Sequence, residues 1–213
     1  MKTDELVVRL SADTAPAPLS RPVPTLLMGL GAGMLVSLVI MAVWLGIRPD
    51  LADAIHTASY WMKFFYTALL AAAAFWLTER LSRPGARADR PELGLLALLA
   101  AIAVAAAFHL GVAPPGERMH LVVGSSADVC PVRILILSLP VFVCLFWALR
   151  NLAPTRLIAA GFAAGLLAGA TGAWVYAFHC DESATPFVAV FYTLGIAAVG
   201  ALGGAAGRFL LRW

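Results

Sequence analysis

Charge is scarce in this chain. Asp, Glu, Lys and Arg make up only 13% of its 213 residues, about half the share in an ordinary soluble domain. No Asp, Glu or Arg lies at mid-depth in any of its long apolar runs. Proton- and cation-coupled carriers usually place such groups there, and no pair of interrupted helices suggests an inverted-repeat transporter. Cysteine is sparse too: three residues and no C-x-x-C pair. That argues against a disulfide scaffold and against a disulfide-generating oxidoreductase. No secretory leader or lipidation box stands out, because Asp4, Glu5, Asp13 and several prolines precede the first apolar run.

What the chain has instead is apolar length. It is 62% hydrophobic, with a mean hydropathy of +0.88. One soluble core of this size could not hide so much apolar surface, so an integral membrane protein is expected. A net charge of +3 would suggest nucleic acid in a soluble chain. In a membrane protein the same arginines more often set topology, and no direct nucleic-acid partner is expected.

A membrane helix needs about 20 mostly apolar residues. Six stretches qualify: 25–47, 60–78, 93–112, 131–149, 157–178 and 187–207. The fourth is the weakest, flanked by Arg133 and interrupted by Pro140, which should kink it. The expected fold is an all-α, six-transmembrane-helix bundle (residues 25–213) behind a tail of residues 1–24.

Short loops make the positive-inside rule applicable. Lys2, Arg9, Arg21, Arg80, Arg83, Arg87, Arg90, Arg150, Arg156, Arg208 and Arg212 fall on one side, against only Arg48, Arg118 and Arg133 on the other. Both termini are therefore expected in the cytoplasm. Aromatic residues mark the edges: Trp44, Tyr60, Trp61, Trp174, Tyr176 and Tyr192 outside, Trp76, Trp147 and Trp213 inside. They read as an interfacial belt. Lys63 lies one turn from the outer edge and is expected to snorkel into the interface.

Glycines recur every fourth residue at Gly161, Gly165 and Gly169, at Gly200 and Gly204, at Gly203 and Gly207, and at Gly29 and Gly33. Small-xxx-small faces allow close helix approach. They could build either the monomer or a dimer.

With this topology Cys130 and Cys180 face the outside, while Cys144 lies inside a span and reads as a small hydrophobe. All four histidines, His56, His109, His120 and His179, fall on the outer half. Two cysteines in an oxidising compartment can form a disulfide. Thiolate and imidazole also suit zinc, copper or cadmium, with His179 and His120 as further possible ligands beside Cys180, Asp181 and Glu182. One reading is a structural disulfide tying two loops; the other is redox or metal sensing. No resident cofactor is expected, and a heavy-metal ion would act as a transient inducer.

The tail carries a short amphipathic pattern. Thr3 can cap a helix, Asp4 and Glu5 suit its first turn, and Leu6, Val7 and Leu10 share one side. Pro16, Pro18, Pro22 and Pro24 should then end the helix and form an extended tether. Ten residues are marginal as a helix in water. Such a segment can fold into a partner's groove or rest on the inner leaflet.

These residues resemble the NrsF-type anti-sigma factors, six-span inner-membrane proteins of proteobacteria. The resemblance runs the length of the chain. It rests on the MKTDELVVRL-SAD opening with its Pro-rich sequel and on Pro154-Thr155-Arg156 before the fifth span. It continues through Tyr176-Ala177-Phe178-His179-Cys180, the run from Phe187 to Tyr192-Thr193, and the Gly-Arg-x-Leu-Leu-Arg-Trp end. The resemblance implies no enzyme but a membrane-held inhibitor of an extracytoplasmic-function sigma factor. Its cytoplasmic N-terminal segment, including Asp4, Leu6, Val7 and Leu10, would hold the sigma partner. Cys130 and Cys180 match the two periplasmic cysteines tied to release under oxidative or heavy-metal stress. A small membrane transporter or metal exporter is the competing class.

Overall fold

A computed structural model describes residues 3–12, 21–83, 85, 89–152 and 154–212. Among these residues the regular structure is all helical: α1 (Thr3–Ala12), α2 (Pro22–Ile40), α3 (Leu51–Ala54), α4 (Ala58–Leu81), α5 (Asp89–Val112), α6 (Arg118–Val123), α7 (Cys130–Arg150), α8 (Leu157–Tyr176), α9 (Thr185–Phe187) and α10 (Thr193–Leu210). Two wider π turns extend these helices: Met41–Leu45 continues α2, and Val188–Tyr192 joins α9 to α10. Six of the resulting rods are long and apolar enough to cross a membrane: Pro22–Leu45, Ala58–Leu81, Glu92–Val112, Cys130–Arg150, Leu157–Tyr176 and Thr185–Leu210. Each contains one of the stretches read from the sequence or overlaps nearly all of it.

The tether expectation needs correction. Pro22 and Pro24 do not extend the tail; Pro22 opens α2. Proline suits a helix's first turn, where its missing N–H would have no partner anyway. Pro16 and Pro18 lie outside the described residues, as does the side chain of Leu10. Helix α1 forms as expected, with Leu6, Val7 and Val8 exposed.

Helix α8 is the axis of the bundle. Buried residues make up 72% of its span, against 11% for the peripheral α5. It packs on α10, α4 and α7, and α2 lies against α7. The glycine faces account for the closest of these contacts. A methyl group at Gly161 would strike the Gly203 carbonyl, and one at Gly165 would sit 2.5 Å from the Val199 carbonyl oxygen. At Gly33 it would meet the Val141 backbone at 2.5 Å. These stripes are used inside one chain, joining α8 to α10 and α2 to α7. Helix α7 continues through Pro140, and its Leu137 carbonyl accepts a 2.7 Å hydrogen bond from the buried Ser37 hydroxyl.

The core has two layers. One is aliphatic, built from residues such as Leu77, Leu145, Leu149 and Leu167. The other is rich in sulfur and aromatic rings, with Met41, Cys130, Tyr176, Cys180, Phe187 and Tyr192. The second layer lies toward the loops 46–57, 113–129 and 177–184, hereafter the thiol end. The opposite end, where six crossings return the chain, is the terminal end.

Candidate functional site

Cys130 is the first residue of α7, and Cys180 lies just beyond α8. The fold brings them together from 50 positions apart: both are buried in the same core cluster, both are free thiols, and each shifts the acidity of the other. The thiol of Cys180 is held below its usual range, to about 6, first by the hydrogen bond from Cys130 and then by the nearby Lys63 ammonium, against the opposing effect of burial. That makes Cys180 the sulfur with thiolate character at neutral pH, and the thiolate is the nucleophile and metal ligand. Cys144 stays apart, half-buried along α7 with its carbonyl against Gly29.

Lys63 does not snorkel. Its side chain is fully buried, and its ammonium donates to the Cys180 carbonyl at 2.8 Å and the Glu182 carbonyl at 2.7 Å. It also stands 5.7 Å from the centre of the Tyr192 ring. Two carbonyl dipoles and an aromatic face replace the water that a snorkelling lysine would seek. The belt reading fails for the same region. Tyr60, Tyr176 and Tyr192 are buried, and the Tyr192 hydroxyl has no hydrogen-bond partner among the described residues. The interfacial reading does fit Trp44, Trp61, Trp76 and Trp147, which are exposed.

Further polar groups hold the Cys180 loop. Arg48 donates to the Cys180 carbonyl at 3.1 Å and forms a two-pronged pair with Asp50 at 2.7 and 2.6 Å. The pair raises the arginine's affinity for its proton and lowers that of the Asp50 carboxyl. Glu182 clamps the other side. Its carboxylate accepts from the Ser125 N–H at 2.6 Å and the Ser125 hydroxyl at 2.8 Å. Gly124 makes room for this clamp: its φ is +56°, and a Cβ there would lie 2.7 Å from the Glu182 carboxylate. The segment leading into Cys130 is thereby tied to the segment following Cys180.

His179 is fully engaged. Its Nδ1 lies 2.9 Å from the Gly46 carbonyl and its Nε2 3.3 Å from an Arg133 guanidinium nitrogen. A carbonyl only accepts and a guanidinium only donates, so the ring is neutral with its proton on Nδ1. A metal at Nε2 would have to displace Arg133. His120 is exposed on α6 and makes no hydrogen bond to this network among the described residues. No group of three or more His, Cys, Asp and Glu side chains that could hold a metal ion occurs among those residues.

The sequence points to the two cysteines but not to their setting. In it Lys63 and Tyr192 read as interfacial, and Arg48, Arg133 and the Ser125–Glu182 contact are not singled out. A signal existed, since Arg48, Arg118 and Arg133 are the only arginines outside the basic side of the chain. Two of those three contact the Cys180 segment.

The chain matches the family described as NrsF, negative regulator of sigma F, over residues 10–213. It is 41% identical to the anti-sigma-F factor NrsF of Caulobacter vibrioides (strain NA1000 / CB15N), over the full length of both chains. It is 37% identical to the probable anti-sigma-F factor NrsF of Azospira oryzae (strain ATCC BAA-33 / DSM 13638 / PS), again over the full length of both. No solved structure matches.

Proposed function

The chain belongs to the NrsF family of negative regulators of sigma F, and from that membership we propose that it is an anti-sigma factor of the bacterial inner membrane. It holds an extracytoplasmic-function sigma factor on the cytoplasmic side and frees it when the Cys130–Cys180 pair is oxidised or captures a soft metal ion. The observation that carries this reading is the burial of two free cysteines, Cys130 and Cys180, in one core cluster, with the Cys180 sulfur biased toward thiolate. The basic terminal end supports a cytoplasmic placement for both termini.

The chemistry is balanced as follows. The Cys180 thiolate attacks a peroxide, breaking its O–O bond to give a sulfenic acid and, after uptake of one proton, water. The Cys130 thiol then displaces the sulfenic hydroxyl as a second water and closes the disulfide. Two electrons pass from the sulfurs to the peroxide. A divalent soft metal would instead bind the Cys180 thiolate and the Cys130 sulfur, releasing the proton that Cys130 carries. A cleft lined by Arg48, Asp50, His179 and Asp181 lies beside the Cys180 loop and gives small reagents an approach. Either event changes the Cys180 segment, which Lys63 ties to α4 and Glu182 ties to the start of α7. A ligand shifts an equilibrium only through such a difference between two states.

The partner is held by α1. Its exposed Leu6 and Val7 form an apolar patch that a groove can take, with Asp4 in the first turn and Leu10 as further candidate contacts. Cys130→Ser and Cys180→Ser should each abolish induction by peroxide and by cadmium, and Cys144→Ser should leave it intact. A sigma-dependent reporter reads the response, and a non-reducing gel shift separates disulfide formation from metal capture. Leu6→Asp should weaken sigma binding about a hundredfold and switch the reporter on without stress. Full induction in both serine variants overturns thiol sensing. Unchanged repression by Leu6→Asp at normal protein level moves the partner to the inner loops.

A further inference from the structure

Three arginines converge at the terminal end. Arg156 precedes α8, while Arg208 and Arg212 lie at the end of α10, and all three are exposed. They share one surface recess with Leu157, Ile158, Ala159 and Phe162. Among the described residues none of the three has a carboxylate within ion-pair distance, in contrast to Arg48 and Arg83. Arg208 instead rests on the Phe209 ring at 4.4 Å.

The recess does not end at the arginines. Ala159 and Phe162 also line a second cavity of about 440 Å³ between α4, α5, α8 and α10, walled by residues such as Leu77, Leu95, Leu166 and Ile196. Its lining is almost entirely aliphatic, with Glu92 the single carboxylate. Helix α5, which forms one wall, has the least buried span of the six. The basic recess and the apolar slot therefore share the wall formed by Ala159 and Phe162, among helices of membrane-spanning length.

We propose that this composite groove binds an anionic phospholipid, its phosphate at Arg156, Arg208 and Arg212 and one acyl chain in the slot behind Phe162. Basic pockets between membrane helices on the cytoplasmic side favour anionic headgroups. Unpaired guanidinium groups offer planar, multi-donor recognition of phosphate. The slot takes the chain that a free phosphate lacks. Among the described residues no carboxylate lines the arginine recess, so it is net positive. The bound lipid bridges α5 to the α8–α10 core.

This inference rests on the membrane placement proposed above, so cell fractionation of each variant tests that placement separately. The assay uses the full chain in mild detergent, stripped of lipid and titrated with dioleoyl phosphatidylglycerol, dioleoyl phosphatidylcholine or inorganic phosphate. Bound lipid is counted by native mass spectrometry. Wild type should retain one phosphatidylglycerol with at least tenfold preference over phosphatidylcholine. The triple variant Arg156→Gln, Arg208→Gln, Arg212→Gln should lose that preference. Ala197→Trp, which fills the slot and leaves the arginines in place, should lose the lipid as well. A charge-matched control, Arg80→Gln, Arg118→Gln, Arg150→Gln, should bind as wild type does. Retained preference in the arginine triple, equal loss in the control, or displacement of the lipid by millimolar phosphate each overturns the proposal.

Discussion

The two ends of the bundle are made from different materials. At the thiol end, cations sit inside the protein with named partners: Lys63 on two carbonyls, Arg48 on a carboxylate and a carbonyl. The core beneath them is sulfur and aromatic ring. At the terminal end the core is leucine and alanine, and Arg156, Arg208 and Arg212 stand exposed without carboxylates. The lesson is about cost. Buried polar groups penalise any change that leaves a partner unsatisfied, so the thiol end responds sharply to chemistry done to it. The terminal end is a surface, tolerant of substitution and available to other molecules.

The largest test of this contrast is Lys63→Met. It removes two charge-assisted hydrogen bonds, on the order of 1.5–3 kcal/mol each, partly offset because an ammonium no longer has to be desolvated. A net loss of a few kcal/mol should lower the thermal midpoint in detergent. Arg156→Met should stay within about 0.5 kcal/mol. Equal midpoints for the two variants would break the comparison.

Cys130→Ala sharpens it next. Thiolate reacts and thiol does not, so alkylation of wild-type Cys180 by a small neutral reagent should rise with pH through about 6 and level off above 7. Without the Cys130 hydrogen bond the rise should move toward the ordinary value of about 8.5, cutting reactivity at pH 6 about a hundredfold. An unmoved midpoint would show that Lys63 alone sets the acidity. The smallest effect is expected from Glu182→Gln, which keeps an acceptor oxygen but drops its charge. About 1 kcal/mol should be lost, read as a roughly fivefold faster amide exchange at Ser125.

Much of the framework was legible because membrane spans announce themselves by length and apolarity. All six appeared within a few residues of their observed bounds, and the glycine spacing marked the faces where α8 meets α10 and α2 meets α7. Which chain those faces would join was not legible, since one stripe serves a dimer as well as a monomer. The two cysteines were also visible, but their contact depends on how α7 and the end of α8 meet, a long-range matter that local pattern does not carry. Tyr176 and Tyr192 were misread for a related reason. A tyrosine near a span's edge is interfacial if its face meets lipid and structural if it meets another helix, and sequence position is the same in both. The tail was half legible: α1 forms with Asp4 and Glu5 in its first turn, while Pro22 and Pro24 begin a helix where an extended segment was expected.

The buried lysine also has a history. The carbonyls that receive Lys63 lie 117 and 119 residues further along the chain. At ordinary synthesis rates those carbonyls emerge on the order of ten seconds after the lysine does. Throughout that interval the Lys63 ammonium lacks the two carbonyls that hold it in the finished fold. The Cys180 loop thus supplies the setting of a side chain made long before it.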